Sequence, residues 1–132
     1  MDGTITNPFG QAGTYIIGPT HGSMIEYRMQ FGGSYSHLYV LAISDRPGPV
    51  TVTVYIDGLF KGQLQWAHND NSAHLAHGQF NVVYGAHNIA LEFYPDLYQG
   101  AGADNDRNLY LKELGAANTA IMNNLLRTID GQ

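Results

Sequence analysis

Cysteine is absent from this 132-residue chain, which removes both a disulfide frame and a thiolate metal site. Charge is also scarce: charged residues make up 13% of the sequence, against about 25% in an average globular protein. The six Lys and Arg face eleven Asp and Glu, for a net charge of −5. So few cations cannot build a stripe that tracks a phosphate backbone, and nucleic acid is excluded as a partner. No apolar run approaches the roughly 20 residues that a membrane-spanning helix needs, so no membrane role is expected. The opening residues, MDGTITNPFG, show neither a basic start nor an apolar stretch, and no signal peptide is visible in them. Phosphate loops, nucleophile elbows and His-Glu-x-x-His motifs are missing as well.

What the chain does have is glycine and tyrosine, sixteen and nine of them, with 44% hydrophobic residues. That balance favours strands and turns over helices and is enough for one packed domain. Thr14–Ile17 is a short β-prone run between glycines. Over Ser23–Phe31, Met24, Glu26, Arg28 and Gln30 alternate with Ile25, Tyr27, Met29 and Phe31, the pattern of a half-buried strand. His37–Ser44 is more uniformly apolar and reads as a central strand. Val50–Ile56 and Leu59–Trp66 flank Asp57-Gly58, a strong two-residue hairpin signal. Ala67–Gly78 reads as a polar loop rich in Asn and His; Gln79–Tyr84 and His87–Phe93 read as two further strands. After a polar loop from Tyr94 to Arg107, Asn108–Leu114 alternates again.

These short strands with regular turn signals predict an all-β antiparallel sandwich, jelly-roll-like, over residues 1–115. Residues 116–132 differ. Ala117, Ile121, Leu125 and Ile129 recur at helical spacing, which predicts a short C-terminal helix that packs on the sandwich or belongs to a linker.

The densest oxygen chemistry lies between Phe93 and Asn108. Asp96, Asp104 and Asp106 are joined there by Asn105 and Asn108, while Gly100 and Gly102 let the backbone curl. Calcium takes six to eight hard oxygen ligands at about 2.3–2.6 Å, and such a loop can supply them. Mutual repulsion of the carboxylates also favours a cation. A solvated turn has the same composition, so composition leaves the two open. The spacing is not that of an EF-hand, since no Glu closes a twelve-residue loop.

Ile89-Ala-Leu-Glu-Phe93, Pro95-Asp96 and Asp106-Arg-Asn-Leu-Tyr-Leu111 resemble the signature of calcium-dependent xylan-binding modules, carbohydrate-binding module family 60 and its relative family 36. The hairpin Val54-Tyr-Ile-Asp-Gly58 followed by Gly62 is similar to the strand pair that precedes this signature in family 60. The resemblance spans roughly residues 50–114. Pro95 departs from it, standing where the family usually has Asn. The resemblance implies a non-catalytic, secreted β-sandwich in which vicinal sugar hydroxyls ligate a bound Ca2+, and a polysaccharide partner such as xylan. It also implies an appended glycoside hydrolase or esterase as a companion domain. Position by position, it makes Asp96 and Asp106 side-chain ligands and Asn105 a carbonyl ligand. Asp104 joins them on charge. Asn108 fastens the loop by hydrogen bonds, and Arg107 braces it or offsets surplus charge.

A sugar site also needs aromatic platforms on which the apolar face of a pyranose can stack. Tyr94 and Tyr98 flank Asp96, and Trp66 ends a strand beside the polar loop. Trp66 reads equally as a core anchor; Tyr39 and Tyr110 read as packing. Two further readings stand beside the first. In one, calcium only rigidifies the loop of a structural or partner-binding sandwich. In the other, His68, His74 and His77 with Asp70 form a transition-metal or catalytic cluster of a small glycan-active enzyme. Asn69-Asp70-Asn71 is a candidate for a second calcium. Glu26, Glu92 and Glu113 lie in strand patterns that give no sign of a converging hydrolytic pair.

Overall fold

A computed structural model describes residues 14–17, 23–44, 50–66, 72–93 and 108–129. Eight strands and one helix succeed one another: β1 (Thr14–Ile17), β2 (Ser23–Phe31), β3 (His37–Ser44), β4 (Val50–Ile56), β5 (Leu59–Trp66), β6 (His74–Gly78), β7 (Gly85–Phe93), β8 (Asn108–Ala117) and α1 (Thr119–Ile129). They form two four-stranded sheets, ordered β1-β8-β3-β6 and β2-β7-β4-β5, with every pairing antiparallel. First pairs with last, second with seventh, third with sixth and fourth with fifth. A long antiparallel ribbon with its bend at the β4–β5 hairpin, rolled so that β3 meets β8 and β4 meets β7, gives this order. It is a jelly roll.

Binary alternation decides which side chains meet between the sheets. Leu38, Val40, Ala42, Leu109, Leu111, Leu114 and Ala116 come from one sheet. Met29, Phe31, Val52, Val54, Ile56, Leu64, Trp66, Ile89 and Leu91 come from the other. Each large aliphatic side chain removed from water there contributes about 1.5–3 kcal/mol. In β8, Leu111 and Leu114 both face this core although they are three positions apart, an odd spacing. The register explains it: between Leu41 and Ala42 the partner jumps from Glu113 to Leu111, so Lys112 is an extra residue. This bulge resets the alternation and lets β8 run on to Ala117.

The expected division at 115/116 therefore falls inside β8, where Ala116 and Ala117 are buried. The helix begins at Thr119, and Met122 rather than Ile121 is its most buried apolar residue. With Tyr39, Leu75 and Ala117 it forms a second small core on the outer face of the first sheet, flanked by Leu41, Ile121, Leu125 and Leu126. Gln79–Tyr84 is a second correction. Asn81 adopts φ 53°, which no strand can carry through, and the segment makes a single bridge, Val82 to Tyr35. Phe80 turns in against β5 and β6, where a Cβ on Gly62 or Gly78 would overlap its ring.

Candidate functional site

Strand register brings four connections to one end of the sandwich. Ile17 pairs with Asn108, Ser23 with Phe93, Val50 with Trp66, Ser44 with Leu109 and Ala42 with His74. The chain thus leaves toward 18–22, 45–49, 67–73 and 94–107 from the same end. The acidic segment joins β7 to β8, which are interior strands of opposite sheets. The gap between packed sheets is about 10 Å and one extended residue covers ~3.5 Å. The 94–107 segment is several times longer than that crossing needs.

Asp96, Asp104, Asn105, Asp106, Arg107, Tyr94 and Tyr98 lie outside the described residues, as do His68, Asp70 and the Asn69–Asn71 run. Asn108 is the first residue of β8, opposite Ile17. Among the described residues no group of three or more His, Cys, Asp or Glu could hold a metal ion. The donor chemistry of 94–107, all hard oxygen with no thiol or imidazole, suits calcium rather than a softer metal.

Trp66 is corrected as a stacking platform. It is 2% exposed, packed in the core between the sheets, and its Nε1 donates to the His74 carbonyl at 3.0 Å. At the end of β5 it leaves no ring face open to a sugar. The histidine cluster is corrected too. His74 and His77 belong to β6, not to a loop, and an odd separation on a strand sends their side chains to opposite faces. His77 instead meets His37, ring centroids 5.4 Å apart. Partial burial and then the neighbouring His37 lower the His77 pKa, which opposes its protonation.

Two of the three glutamates in the strands are held by tyrosines. Tyr39 Oη donates to Glu113 Oε2 at 2.6 Å on the first sheet, and Tyr55 Oη to Glu92 Oε1 at 3.0 Å on the second. Glu113 thus lies on a different sheet from Glu26 and Glu92.

No protein-family model matches the chain, and no curated protein matches it. Solved structures do. The CBM36-1 domain of a multidomain xylanase from the hindgut metagenome of Trinervitermes trinervoides aligns with a TM-score of 0.59 at 20% identity, over 87% of this chain and 83% of that one. A family 36 carbohydrate-binding module in complex with calcium and xylotriose aligns with a TM-score of 0.55 at 14% identity, over 87% of both chains. The chain has the fold of these modules. The catalytic domain of a GH87 α-1,3-glucanase in complex with nigerose also aligns, with a TM-score of 0.56 at 13% identity, over 89% of this chain but 26% of that one. No described helix is long and apolar enough to cross a membrane.

Proposed function

We propose that this protein is a non-catalytic carbohydrate-binding module that grips xylan or a related plant-wall polysaccharide through calcium. Asp96, Asp104 and Asp106 supply carboxylates and Asn105 its carbonyl. When bound, the ion supplies a hard electrophilic centre that a vicinal diol can ligate. Two oxygens on one ring would take the place of two waters together, which would offset the poor competition of one hydroxyl with water. Tyr94 and Tyr98 stack on the apolar sugar face, while Arg107 and Asn108 brace the loop. The setting is extracellular, where millimolar calcium is present, with an appended glycoside hydrolase or esterase as the module's beneficiary.

The observation that carries this reading is the long acidic connection between the central strands of a jelly roll. Its likeness in fold to a module complexed with calcium and xylotriose supports it. Against the glycan-active alternative stands the placement of His74 and His77 on opposite faces of β6. The decisive measurement is a calorimetric titration with xylohexaose, with calcium and again in EDTA. Calcium is expected to tighten binding strongly, and Asp106→Ala to abolish that gain while the circular dichroism of the sandwich is retained. Calcium that raises the melting temperature yet leaves sugar affinity unchanged would establish the purely structural role instead.

A further inference from the structure

The outer faces of the two sheets are finished differently. On the first, α1 closes an apolar patch around Tyr39 and Leu75. On the second, no described element packs over the β2-β7-β4-β5 sheet. Side chains that alternate away from the core stand on it in rows: Glu26, Arg28 and Gln30 from β2; Ala86, Asn88, Ala90 and Glu92 from β7; Thr51, Thr53 and Tyr55 from β4; Gln63 and Gln65 from β5.

Tyr55 is the centre of this face. It sits opposite Ala90 in the β4–β7 ladder, yet its hydroxyl reaches Glu92, two residues farther along β7. A side chain that starts opposite Ala90 and ends at Glu92 lies along the sheet, and Tyr55 is half-buried there. The methyl of Ala90, 5% exposed, leaves room for the ring to lie low. Phe60 stands against it with ring centroids 6.2 Å apart and planes at 72°, and is itself 64% exposed. The pair makes a floor and a wall.

The surroundings are polar and nearly neutral. Gln63 Nε2 donates to Thr53 Oγ1, and Gln65 Nε2 to Thr51 Oγ1, each at 3.4 Å. Arg28 donates to Asn88 Oδ1 at 2.9 Å. Glu26 and Glu92 are partly offset by Arg28 in the same rows, so the face carries too little charge to attract a polyanion or polycation. A protein partner would want a contiguous apolar centre, and among the described residues of this face Met24 is the one large apolar side chain exposed beyond the two rings. An uncharged polyol with apolar ring faces fits both halves of this surface: C–H groups on the tyrosine, hydroxyls to amides and a carboxylate.

We propose that this face is a second saccharide-binding surface, independent of any metal ion, with Tyr55 as platform, Phe60 as side wall, and Glu92, Glu26 and Gln63 as hydroxyl partners. It takes a neutral pyranose chain and does not rest on the calcium reading. The test is an amide-shift NMR titration of the whole protein in EDTA with xylohexaose and, separately, cellohexaose. At least one sugar is expected to shift amides of β4, β5 and β7 around Thr53, Tyr55, Gln63 and Glu92. Tyr55→Ala should weaken this binding about tenfold, as expected for loss of one aromatic stacking contact. Phe60→Ala should weaken it less. Tyr55→Phe keeps the ring and should keep most of the affinity, whereas Asp106→Ala should leave it unchanged. Absence of shifts with both sugars, shifts confined to the opposite sheet or the loop end, or full affinity in a folded Tyr55→Ala protein would overturn the proposal. Because calcium is absent throughout, failure here leaves the calcium reading untouched.

Discussion

The two ends of the sandwich solve the problem of reversing the chain in opposite ways. At one end, β4 returns as β5 through Asp57 and Gly58 alone, with φ of 54° and 80°, the left-handed pair of a type I′ turn. The turn is then tied to its neighbours. Asp57 N donates to the Asn88 carbonyl at 2.8 Å, and Asn88 N returns to Asp57 Oδ1 at 2.9 Å. Asp57 Oδ2 lies 2.6 Å from His87 Nδ1, and His87 Nε2 lies 3.0 Å from the Val83 carbonyl. That histidine, with the Asn88 amide, holds the Asp57 carboxyl below its usual range. Tyr35 and Val82 exchange backbone hydrogen bonds of 2.8 Å in each direction close by. At the other end, β7 and β8 are joined by far more chain than the crossing requires. The difference teaches that closure is achieved at the turn end, which frees the opposite end to be chosen for what it can bind.

That contrast can be broken in three ways. The largest effect is expected from Trp66→Ala, which empties a core position where β5 ends. Loss of a buried tryptophan costs about 3–5 kcal/mol, read as a lower denaturation midpoint in urea. An unchanged midpoint with lost sugar binding would instead make Trp66 part of the binding surface. Gly58→Ala should cost about 1 kcal/mol, because a Cβ there meets no atom within 4 Å and the penalty is left-handed backbone alone. Calcium-dependent sugar affinity should be unaltered in that variant; a parallel loss would show that the two ends are coupled. The smallest effect is on pH dependence. His77 has a folded pKa below its ordinary 6.5. The unfolded chain therefore takes up a proton that the folded protein resists, and stability is complete above that pH and declines as pH falls below it. Melting temperatures measured from neutral to mildly acidic buffer should decline, and His77→Gln should flatten that limb.

Much of this architecture was legible in the residues. The first five strands follow directly from alternation and punctuation, and Asp57-Gly58 announces the hairpin on which the ribbon bends. The errors have local causes. β8 reads as ending at Leu114 because the extra Lys112 breaks the period of two; past the bulge, Leu114 and Ala116 rejoin the core. Val82 and Val83 mimic a strand, but backbone at Asn81 turns left-handed and only one bridge forms. Trp66 is ambiguous by nature, since one residue type serves cores and sugar platforms alike; its burial is decided by β5's alternation with Leu64. The acidic segment is legible as chemistry but not as geometry, because loop conformation depends on contacts that no period encodes. Tyr55 carries no distinguishing signal in the sequence. In a strand of alternating Val and Thr it is one more outward residue, and its setting emerges only once Ala90 and Glu92 are beside it.

The nested pairing of strands also dictates the order in which the molecule can be assembled. Val50–Trp66 can zip as soon as it is synthesised, since its partners are joined by two residues. Each further pair spans a wider interval of chain, until Thr14 must find Leu111. Because β8 lies between β1 and β3, nothing among the described strands joins those two until Asn108–Ala117 has emerged from the ribosome. Folding is therefore committed late, at the loop-closure cost of the most distant contacts, and a chain interrupted before Asn108 carries unpaired strand edges of the kind that aggregate.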